Sequence, residues 1–332
     1  MKYNREFMPA AIPSYRSNRA NRSNRANRAN RAGRSERGAA LVLALLVVAL
    51  LMTLVLEFDR SVRLEHRAAA NYRDATAAFY LTKAGVAEGE ALLAADQLSG
   101  SPSDNLTEAW ALPGETPLGA GVMRVSIVDE ERFFPINSLV GNNVVNIERV
   151  AQFQRLLREL EIDDRLADAV VDWLDQNDVA LPDGAESDYY GLLPTPYRAH
   201  NGPIDSLEEL RLIKGVTDDV YSRLAPHLTA LQSGNIFRVN LNTADPIVLG
   251  ALDPDLTPDM VNRLIAERPI ESPVELDSIL GTGGFSSLRS IASFTSNFFT
   301  IDAEGVVNGT SKVMLMQVSR DAQMPLWVRI PS

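Results

Sequence analysis

The chain has 332 residues, 45% of them hydrophobic, which is enough for one large domain or two modest ones with a substantial core. It has no cysteine, which excludes a disulfide scaffold, a thiol nucleophile and a cysteine-ligated zinc site. Residues 1–38 carry ten Lys or Arg against two Glu, a balance of +8, which leaves −19 for residues 39–332 out of a total of −11. So acidic a region repels nucleic acid and suits cations or basic protein surfaces.

Residues 1–38 are predicted to be unfolded. Arginine occupies every third position from Arg16 to Arg37, with Asn, Ala and Ser between, so there is almost nothing apolar to bury. Positive charge that flanks a membrane span is retained in the cytoplasm. The repeat therefore favours a topology signal over an RNA-binding arm.

An apolar run follows this leader. Ala39 to Leu56 is 18 residues without a charge, and as a helix it would span about 27 Å, close to the hydrocarbon thickness of a bilayer. The run is long for a secretory signal, and no small-x-small cleavage site follows it. From Glu57 to Leu98 there is no proline, and apolar residues recur at helical intervals, so one continuous helix is predicted to leave the membrane. The alternative is a single-pass anchor before an unrelated soluble domain.

The middle of the chain is predicted to be helical. The stretches "SGSPSD" and "PGETPLGAG" indicate breaks, and the alternation in residues 121–130 predicts a strand. Residues 145–160 and 163–176 have helical patterns, the second capped by Asp163 or Asp164. A capping box in "SLEELRLIKG" precedes four more short helices, each led by Ser or Thr: "TDDVYSRLAPHL", "TADPIVLGAL", "TPDMVNRLIAER" and "SPVELDSIL".

The C-terminal part returns to strands. "FFTIDAEGVVNGTSKVMLMQVSR" holds two strand-like runs around Asn308-Gly309, a strong hairpin signal, and "PLWVRIP" can close the sheet. The order of strand, helices and strands predicts a helical domain inserted into a small sheet.

The acidic stretch after residue 171 is the main candidate for chemistry. Asp172 and Asp175 lie three apart on a predicted helix and so share a face, and further acids follow across a Pro-Gly turn. Calcium takes six to eight oxygen ligands in flexible geometry, which clustered carboxylates can supply, although the spacing is not that of an EF-hand. The alternative is that Asp172 makes local contacts while the loop acids stay solvated. The predicted ligands are Asp175, Asp178, Glu186 and Asp188.

DNA binding is another possible function, and the sequence argues against it. Residues 210–224 and 258–280 resemble helix-hairpin-helix units, which bind DNA phosphate through backbone amides. Asp218, Asp219 and Asp259 lie where a phosphate would bind, so a role in packing of the scaffold is favoured over DNA binding.

The pair Asn240 and Asn242 is interpreted as structural, capping the helix that starts near Thr243.

An enzymatic function has little support. The histidines His66, His200 and His227 sit in no triad or metal motif, and GxSxG, P-loop and HExxH patterns are absent. A carboxylate pair for glycoside hydrolysis would have only Trp173, Tyr189 and Tyr190 as a sugar platform, and these serve equally well as core.

The N-terminal pattern resembles a known family. "ERGAALVLALLVVALLMTLVLEF" is similar to the start of type IV pilin-like proteins, which a prepilin peptidase cuts after the glycine, so cleavage is implied between Gly38 and Ala39. Most such proteins carry Glu five residues into the mature chain, where this one has Leu43. That departure points to the K-type minor pseudopilins of type II secretion, the GspK family. The stretches "DWLDQNDVALPDGAESDYYG", "LRLIKGVTDDVYSRLAPHLT" and "VNLNTADPIVLGAL" also resemble its signatures.

This resemblance implies an α+β fold, with a pilin-like long N-terminal helix, a small antiparallel sheet and a large inserted all-α domain. The expected segments are a leader removed by prepilin peptidase (1–38), the transmembrane part of the helix (39–58), the rest of that helix with the first strands (59–130), the inserted helical domain (131–290) and the C-terminal strands (291–332).

The resemblance also implies a role. A K-type pseudopilin caps the pseudopilus tip with I-type and J-type minor pseudopilins and other pseudopilins, and takes part in export of folded proteins across the outer membrane. It spans the inner membrane once, with its N-terminus cytoplasmic and its C-terminal domain periplasmic, and binds calcium but no nucleic acid. The alternative is a membrane-anchored minor pilin or a DNA- or ligand-binding module of a type IV pilus or competence system.

Overall fold

The protein is described here by a computed structural model that covers residues 20–231, 237–320 and 324–329. It divides into two compact units, the first ending at Tyr72 and the second beginning at Arg73. The first helix, α1, runs over Ala20–Ser99, which confirms the continuous helix predicted through residues 57–98. Residues 20–38, predicted to be unfolded, are helical; Ala and Arg are good helix formers, so the helix of the apolar run extends backwards through them. Residues 1–19 of the leader lie outside the described residues.

The first unit contains the apolar part of α1. An 18-residue window of this helix has a mean hydropathy of 3.1, and none of it is buried within the protein. The hydroxyl of Thr53 donates to the carbonyl oxygen of Ala49 at 2.9 Å, which satisfies the only hydroxyl of the run inside the helix itself. Within the described residues, α1 is the one helix that is long enough and apolar enough to cross a membrane.

The second unit contains the end of α1 and the remaining elements. Its strands are β1 Gly114–Leu118, β2 Gly121–Asp129, β3 Phe134–Pro135, β4 Val140–Gly141, β5 Val144–Val145, β6 Leu228–Thr229, β7 Val239–Asn240, β8 Ala292–Ser293, β9 Phe298–Val307, β10 Thr310–Ser319 and β11 Met324–Arg329. Its helices are α2 Ile147–Glu159, α3 Leu166–Leu174, α4 Ser187–Tyr190, α5 Asp218–Leu224, α6 Pro246–Leu252, α7 Pro258–Ala266, α8 Pro273–Leu280 and α9 Ser286–Ile291.

Five strands form an antiparallel sheet in the order β1-β2-β9-β10-β11. The predicted hairpin between β9 and β10 is confirmed, with left-handed φ values of 50° at Asn308 and 81° at Gly309, as a two-residue turn requires. Alternate residues of β2, β9 and β10 point towards α1, where Val125 and Ile301 pack with Val86 in one core cluster. The segment predicted to be a break before residue 121 instead contains the edge strand β1.

The sheet lies directly against α1 at Gly305. A Cβ added there would overlap the carbonyl oxygen of Ala78 and lie 2.9 Å from the backbone nitrogen of Thr82. The Thr82 hydroxyl donates to the carbonyl oxygen of Lys312 at 2.9 Å. Helix and sheet therefore meet through backbone atoms, which only glycine allows at this position of β9.

Helices fill the chain between β2 and β9. They bury a second apolar cluster, around Phe134, Phe153 and Leu249, which is separate from the sheet core. The predicted capping box of Ser206 and Glu209 is present, but it opens a 3-10 helix over residues 207–212 rather than an α-helix.

Some helix starts differ from those predicted. Helix α3 begins at Leu166 and has no side-chain cap. Asp163 instead accepts a hydrogen bond from the backbone nitrogen of Arg165, which precedes the helix. Helix α6 is capped by Asp245, whose carboxylate accepts from two backbone amides of its first turn. Thr217, Thr257 and Ser272 cap α5, α7 and α8 as predicted, and α9 is an additional helix.

The buried carboxylate of Asp129, at the end of β2, ties the sheet to the helical region. It accepts hydrogen bonds from Asn240 Nδ2 (3.1 Å), Thr243 Oγ1 (2.6 Å), Ser296 Oγ (2.8 Å) and the backbone nitrogen of Glu131 (2.8 Å). Asn240 is thus structural as predicted, but it holds this junction rather than capping a helix. Asn242 exchanges two hydrogen bonds with the backbone of Ile270, at 2.8 Å and 2.7 Å.

Candidate metal site

The acidic loop begins where α3 ends. Asp172 lies on the last turn of α3 and Asp175 directly follows the helix, and they are 0% and 4% exposed. Both oxygens of Asp172 face the backbone nitrogen of Leu181, at 3.2 Å and 3.1 Å, which draws the loop back onto the helix. A Cβ at Gly184 would overlap an oxygen of Asp172, so this close return depends on the glycine.

Lys214 holds the far side of the loop. Its ammonium donates to the carbonyl oxygens of Asp183 (3.1 Å) and Gly184 (2.8 Å) and lies 5.4 Å from the centre of the Tyr189 ring. Its backbone nitrogen donates to the Tyr190 hydroxyl at 3.1 Å. The loop is thereby fixed to a segment 30 residues later in the chain.

Glu186 lies inside this loop with both carboxylate oxygens buried and without a hydrogen-bond partner. The side chain is only 4% exposed. Burial raises the pKa of Glu186 to about 7, and the nearby charges of Asp172, Asp175 and Asp178 add to the rise. Burial likewise raises the pKa of Asp172 to about 6. The loop thus brings several carboxylates close together around a buried side chain whose charged form is disfavoured.

The four predicted ligands have different environments. Asp175 is buried and accepts from the backbone nitrogen of Asn177 at 3.0 Å. Asp178 is exposed and accepts from the side-chain amide of Asn201 at 3.2 Å. Asp188 is exposed in the first turn of α4. The loop thus brings Asp175 and Asp178 close enough to Glu186 for their charges to raise its pKa.

Two residues at the loop have roles that the predicted ligand set leaves out. Asp172 shapes the loop through the Leu181 amide, as the alternative interpretation proposed, but it also adds charge beside Glu186. Asn201 lies outside the acidic stretch, and its only sequence signal is the turn-forming pair Asn-Gly. That pair predicts a left-handed residue but says nothing of its contact with Asp178.

The donor set suits a hard cation. Carboxylate and amide oxygens are the ligands that calcium takes in flexible geometry, and a buried carboxylate with two unpartnered oxygens is costly without a cation. No three acids of the 172–188 stretch, all of it described, have ligand atoms within 4.8 Å of one another. A bound ion would therefore have to draw these side chains inward.

A tighter group of acids lies elsewhere and already has a cation. Oxygens of Asp96, Asp104 and Glu108 lie within 4.8 Å of one another. Arg320 is paired with Asp96 at 2.9 Å and with Asp104 at 2.8 Å. Glu108 accepts from the indole nitrogen of Trp110 at 2.7 Å. Arg320 thus already supplies the positive charge beside these acids, and the group is interpreted as a structural network.

The residues considered above for enzymatic activity and for DNA binding make structural contacts. His200 Nδ1 lies 2.7 Å from a carboxylate oxygen of Glu209, and His227 Nδ1 lies 2.7 Å from one of Asp245. Asp218, in the first turn of α5, points into solvent with its side chain 91% exposed and is paired with Arg211. That negative charge would repel a phosphate at this helix start.

The processing residues lie on α1. Gly38 and Ala39 are exposed, and a Cβ at Gly38 would meet nothing within 4 Å. Leu43, the residue at which the resemblance implied a departure from the usual Glu, is 67% exposed.

Comparison with known proteins gives consistent matches. Residues 133–233 and 239–302 match two family models described as type II secretion system, protein K. The type II secretion system protein K of Pseudomonas aeruginosa is 35% identical over 246 residues, which cover 70% of this chain and 72% of that protein. The protein K of Aeromonas hydrophila is 30% identical over 253 residues, covering 70% and 76%.

A solved structure has the same fold. One chain in the crystal structure of the GspK-GspI-GspJ complex from enterotoxigenic Escherichia coli aligns with a TM-score of 0.67 at 21% identity, covering 81% of this chain and 99% of that one. The α+β fold expected from the sequence is thus confirmed.

Proposed function

The chain belongs to the type II secretion system protein K family, and from that membership we propose that it is the minor pseudopilin that caps the tip of the secretion pseudopilus. In that position it takes part in export of folded proteins across the outer membrane. Its role is one of assembly, and we assign it no catalytic activity.

The helical region between β2 and β9 is the observation that supports a tip position. It has its own apolar core, so it adds a second folded body to the small sheet and α1. A subunit with so large a lateral addition is difficult to repeat along a thin helical fibre, but at the tip no further subunit has to pack above it.

The N-terminal features fit the same assignment. Cleavage between Gly38 and Ala39 would leave the exposed apolar part of α1 at the start of the mature chain. We propose that this part crosses the inner membrane once, with the arginine-rich leader cytoplasmic and the second unit periplasmic. Leu43 cannot pair with the N-terminal amine of a subunit ahead, which suits the first subunit of a fibre.

The proposed partners are an I-type and a J-type minor pseudopilin. The solved structure with the same fold is a complex of three such proteins. The test is to co-express the full-length chain with both partners and its prepilin peptidase, solubilise the membranes and purify by a C-terminal tag. We expect both partners in the eluate and Ala39 as the first residue of the purified chain.

The negative control is the Gly38→Leu chain, which should keep its leader, since a bulky side chain obstructs the cleavage site. Absence of both partners from the eluate of the processed chain would contradict the tip assignment. A mature start at Met1, or beyond Leu56, would contradict the pilin-like processing.

We propose further that the acidic loop binds calcium, with Asp175, Asp178 and Glu186 as ligands from the loop and Asp188 as an exposed candidate. The unpartnered oxygens of Glu186 carry this proposal. When bound, the ion supplies positive charge that neutralises the loop and joins α3 to α4. Isothermal titration of the full chain should show binding, and chelation should lower its melting temperature; if neither occurs, the chain has no calcium site.

A further inference from the structure

The β4–β5 hairpin and the start of α2 present apolar side chains to solvent. Val144 and Ile147 are 67% and 82% exposed, and Val145 between them is 38% exposed. The hairpin turns through Asn142 and Asn143, both left-handed, with φ values of 49° and 61°, as a two-residue turn requires. The exposed side chains therefore belong to a regular hairpin.

Hydrogen bonds hold this hairpin on the helical region. The backbone nitrogen of Asn146 donates to the carbonyl oxygen of Leu139 at 2.8 Å, and the Asn146 side chain caps α2 by accepting from the backbone nitrogen of Arg149 at 3.2 Å. At the turn, Asn143 Oδ1 accepts from the backbone nitrogen of Gln176 at 3.0 Å. The position of the apolar side chains is thus fixed at both ends of the hairpin.

Strand β5 has a free edge. It pairs with β4, and within the described residues no other strand pairs with it. Hydrogen-bonded and non-hydrogen-bonded pairs alternate along an antiparallel ladder. Because Asn146 is hydrogen-bonded to Leu139, the adjacent pair of Val140 and Val145 is the other kind, and the N–H and C=O groups of Val145 point away from β4. An extended peptide can pair with such an edge.

An open groove of about 500 Å³ lies beside this edge. Its lining includes the three exposed apolar side chains, together with Phe237 and Arg149. The guanidinium carbon of Arg149 lies 4.0 Å from the centre of the Phe237 ring, and Phe237 is only 7% exposed. Exposed apolar side chains grouped around a groove are typical of an interaction site.

Arg149 places a positive charge in the groove that no carboxylate pairs with. Its Nη1 donates to the neutral Oε1 atom of Gln152 at 2.8 Å, and its other contact is the Phe237 ring. Glu148 also lines the groove but forms no ion pair with it in the described part of the chain. A guanidinium on an aromatic ring, without a carboxylate partner, is suited to a carboxylate supplied by another molecule.

We propose that this groove binds an extended peptide segment of another protein, one that combines apolar side chains with one carboxylate. The backbone of the segment pairs with β5 at Val145. Its apolar side chains pack on Val144 and Ile147, and its carboxylate pairs with Arg149.

Phage display on the full-length chain in detergent tests this proposal. A library of random short peptides is selected on the immobilised chain and counter-selected on the double variant Val144→Thr/Ile147→Thr, in which both side chains stay β-branched but gain a hydroxyl. The most enriched peptide is synthesised with a fluorescent label, and its anisotropy gives the Kd. We expect enriched peptides to combine β-branched residues with an Asp or a Glu.

The double variant should bind this peptide more than about tenfold more weakly, because two apolar contacts are lost. Its melting temperature should be unchanged, since both side chains are exposed. Val274→Thr is the matched control: Val274 is 76% exposed in the first turn of α8, and this variant should bind like the unmodified chain. Replacing the acid of the peptide by its amide should weaken binding to the unmodified chain but not to Arg149→Gln, where the pairing cation is missing.

The proposal is overturned if no peptide is enriched, or if the enriched peptide binds the double variant as tightly as the unmodified chain. If the amide peptide is weakened equally with and without Arg149, the carboxylate does not bind this residue and that part is wrong. If light scattering shows a dimer of the unmodified chain that the double variant abolishes, the occupant is a second copy of this chain, which also overturns the proposal.

Discussion

Replacing Glu186 by Gln should have opposite effects on stability with and without calcium. In the calcium-free protein the buried carboxylate has its pKa raised from 4.5 to about 7, which corresponds to about 3 kcal/mol against the charged form. Gln removes that charge and supplies an amide donor to the neighbouring carboxylates. At pH 8 with chelator, Glu186→Gln should therefore unfold at a higher temperature than the unmodified chain, by about 2 °C for each kcal/mol regained.

The effect has a defined pH window. Because the pKa of Glu186 in the folded state lies above the unfolded value of 4.5, the folded state holds the proton more readily. Stability of the calcium-free chain thus falls as pH rises from 4.5 through about 7. The advantage of Glu186→Gln should be full at pH 8 and absent near pH 4.5, where the unmodified side chain is protonated.

Calcium should reverse the order. At a concentration of 100 times its Kd, a ligand that binds only the folded state stabilises by about 2.7 kcal/mol. The unmodified chain should gain this, while Glu186→Gln, having lost a ligand, should gain little. Thermal unfolding at pH 8 with chelator and with calcium measures both effects. Asp183→Asn, at an exposed loop acid that is not a proposed ligand, controls for removal of a loop charge. A lower melting temperature for Glu186→Gln in chelator would refute the argument that the buried charge is uncompensated.

Three further predictions concern the sheet and its junction. Gly305→Ala should destabilise by about 1–3 kcal/mol, since the added methyl overlaps backbone atoms of α1; Gly250→Ala, in open space on α6, should stabilise by up to about 1 kcal/mol, and denaturant unfolding compares the two. Arg320→Met should cost about 3–5 kcal/mol by leaving the buried Asp104 and the half-buried Asp96 without their cation, and a loss below 1 kcal/mol would show that these ion pairs are not needed. Burial raises the pKa of Glu131 to about 7, so Glu131→Gln should flatten the fall in melting temperature between pH 5 and pH 8 in chelator; an unchanged slope would contradict this.

Much of the fold was predictable because its signals are local. The 18 uncharged residues before Glu57, the Asn308-Gly309 turn and the caps at Thr257 and Ser272 each depend on residues a few positions apart. Family membership was predicted from short motifs, and the match over residues 133–233 and 239–302 confirms it.

The missed elements depend on contacts distant in sequence. Every residue of β1 is exposed, so the strand has no alternation to detect and exists through pairing with β2. Asp245 rather than Thr243 caps α6, because the Thr243 hydroxyl is used by Asp129, 114 residues earlier.

The candidate site likewise has some features that the local sequence predicts and others that depend on distant contacts. Asp172 and Asp175, three residues apart, are both buried. Which loop acids turn back towards them depends on Lys214, which holds the carbonyl groups before Glu186 from 30 residues away. Side-chain type alone cannot separate the buried Glu186 from the exposed Asp188.

The two cores of the second unit are joined by directional bonds at Asp129. An apolar interface tolerates sliding, but a carboxylate that accepts from Asn240, Thr243 and Ser296 is satisfied in one arrangement only. The helical region thus has a fixed orientation on the sheet, while the buried carboxylate oxygens of Glu186, in the acidic loop, have no hydrogen-bond partner. The proposed cation site lies outside this junction, so a cation bound at the loop should stabilise the helical core without altering its orientation on the sheet.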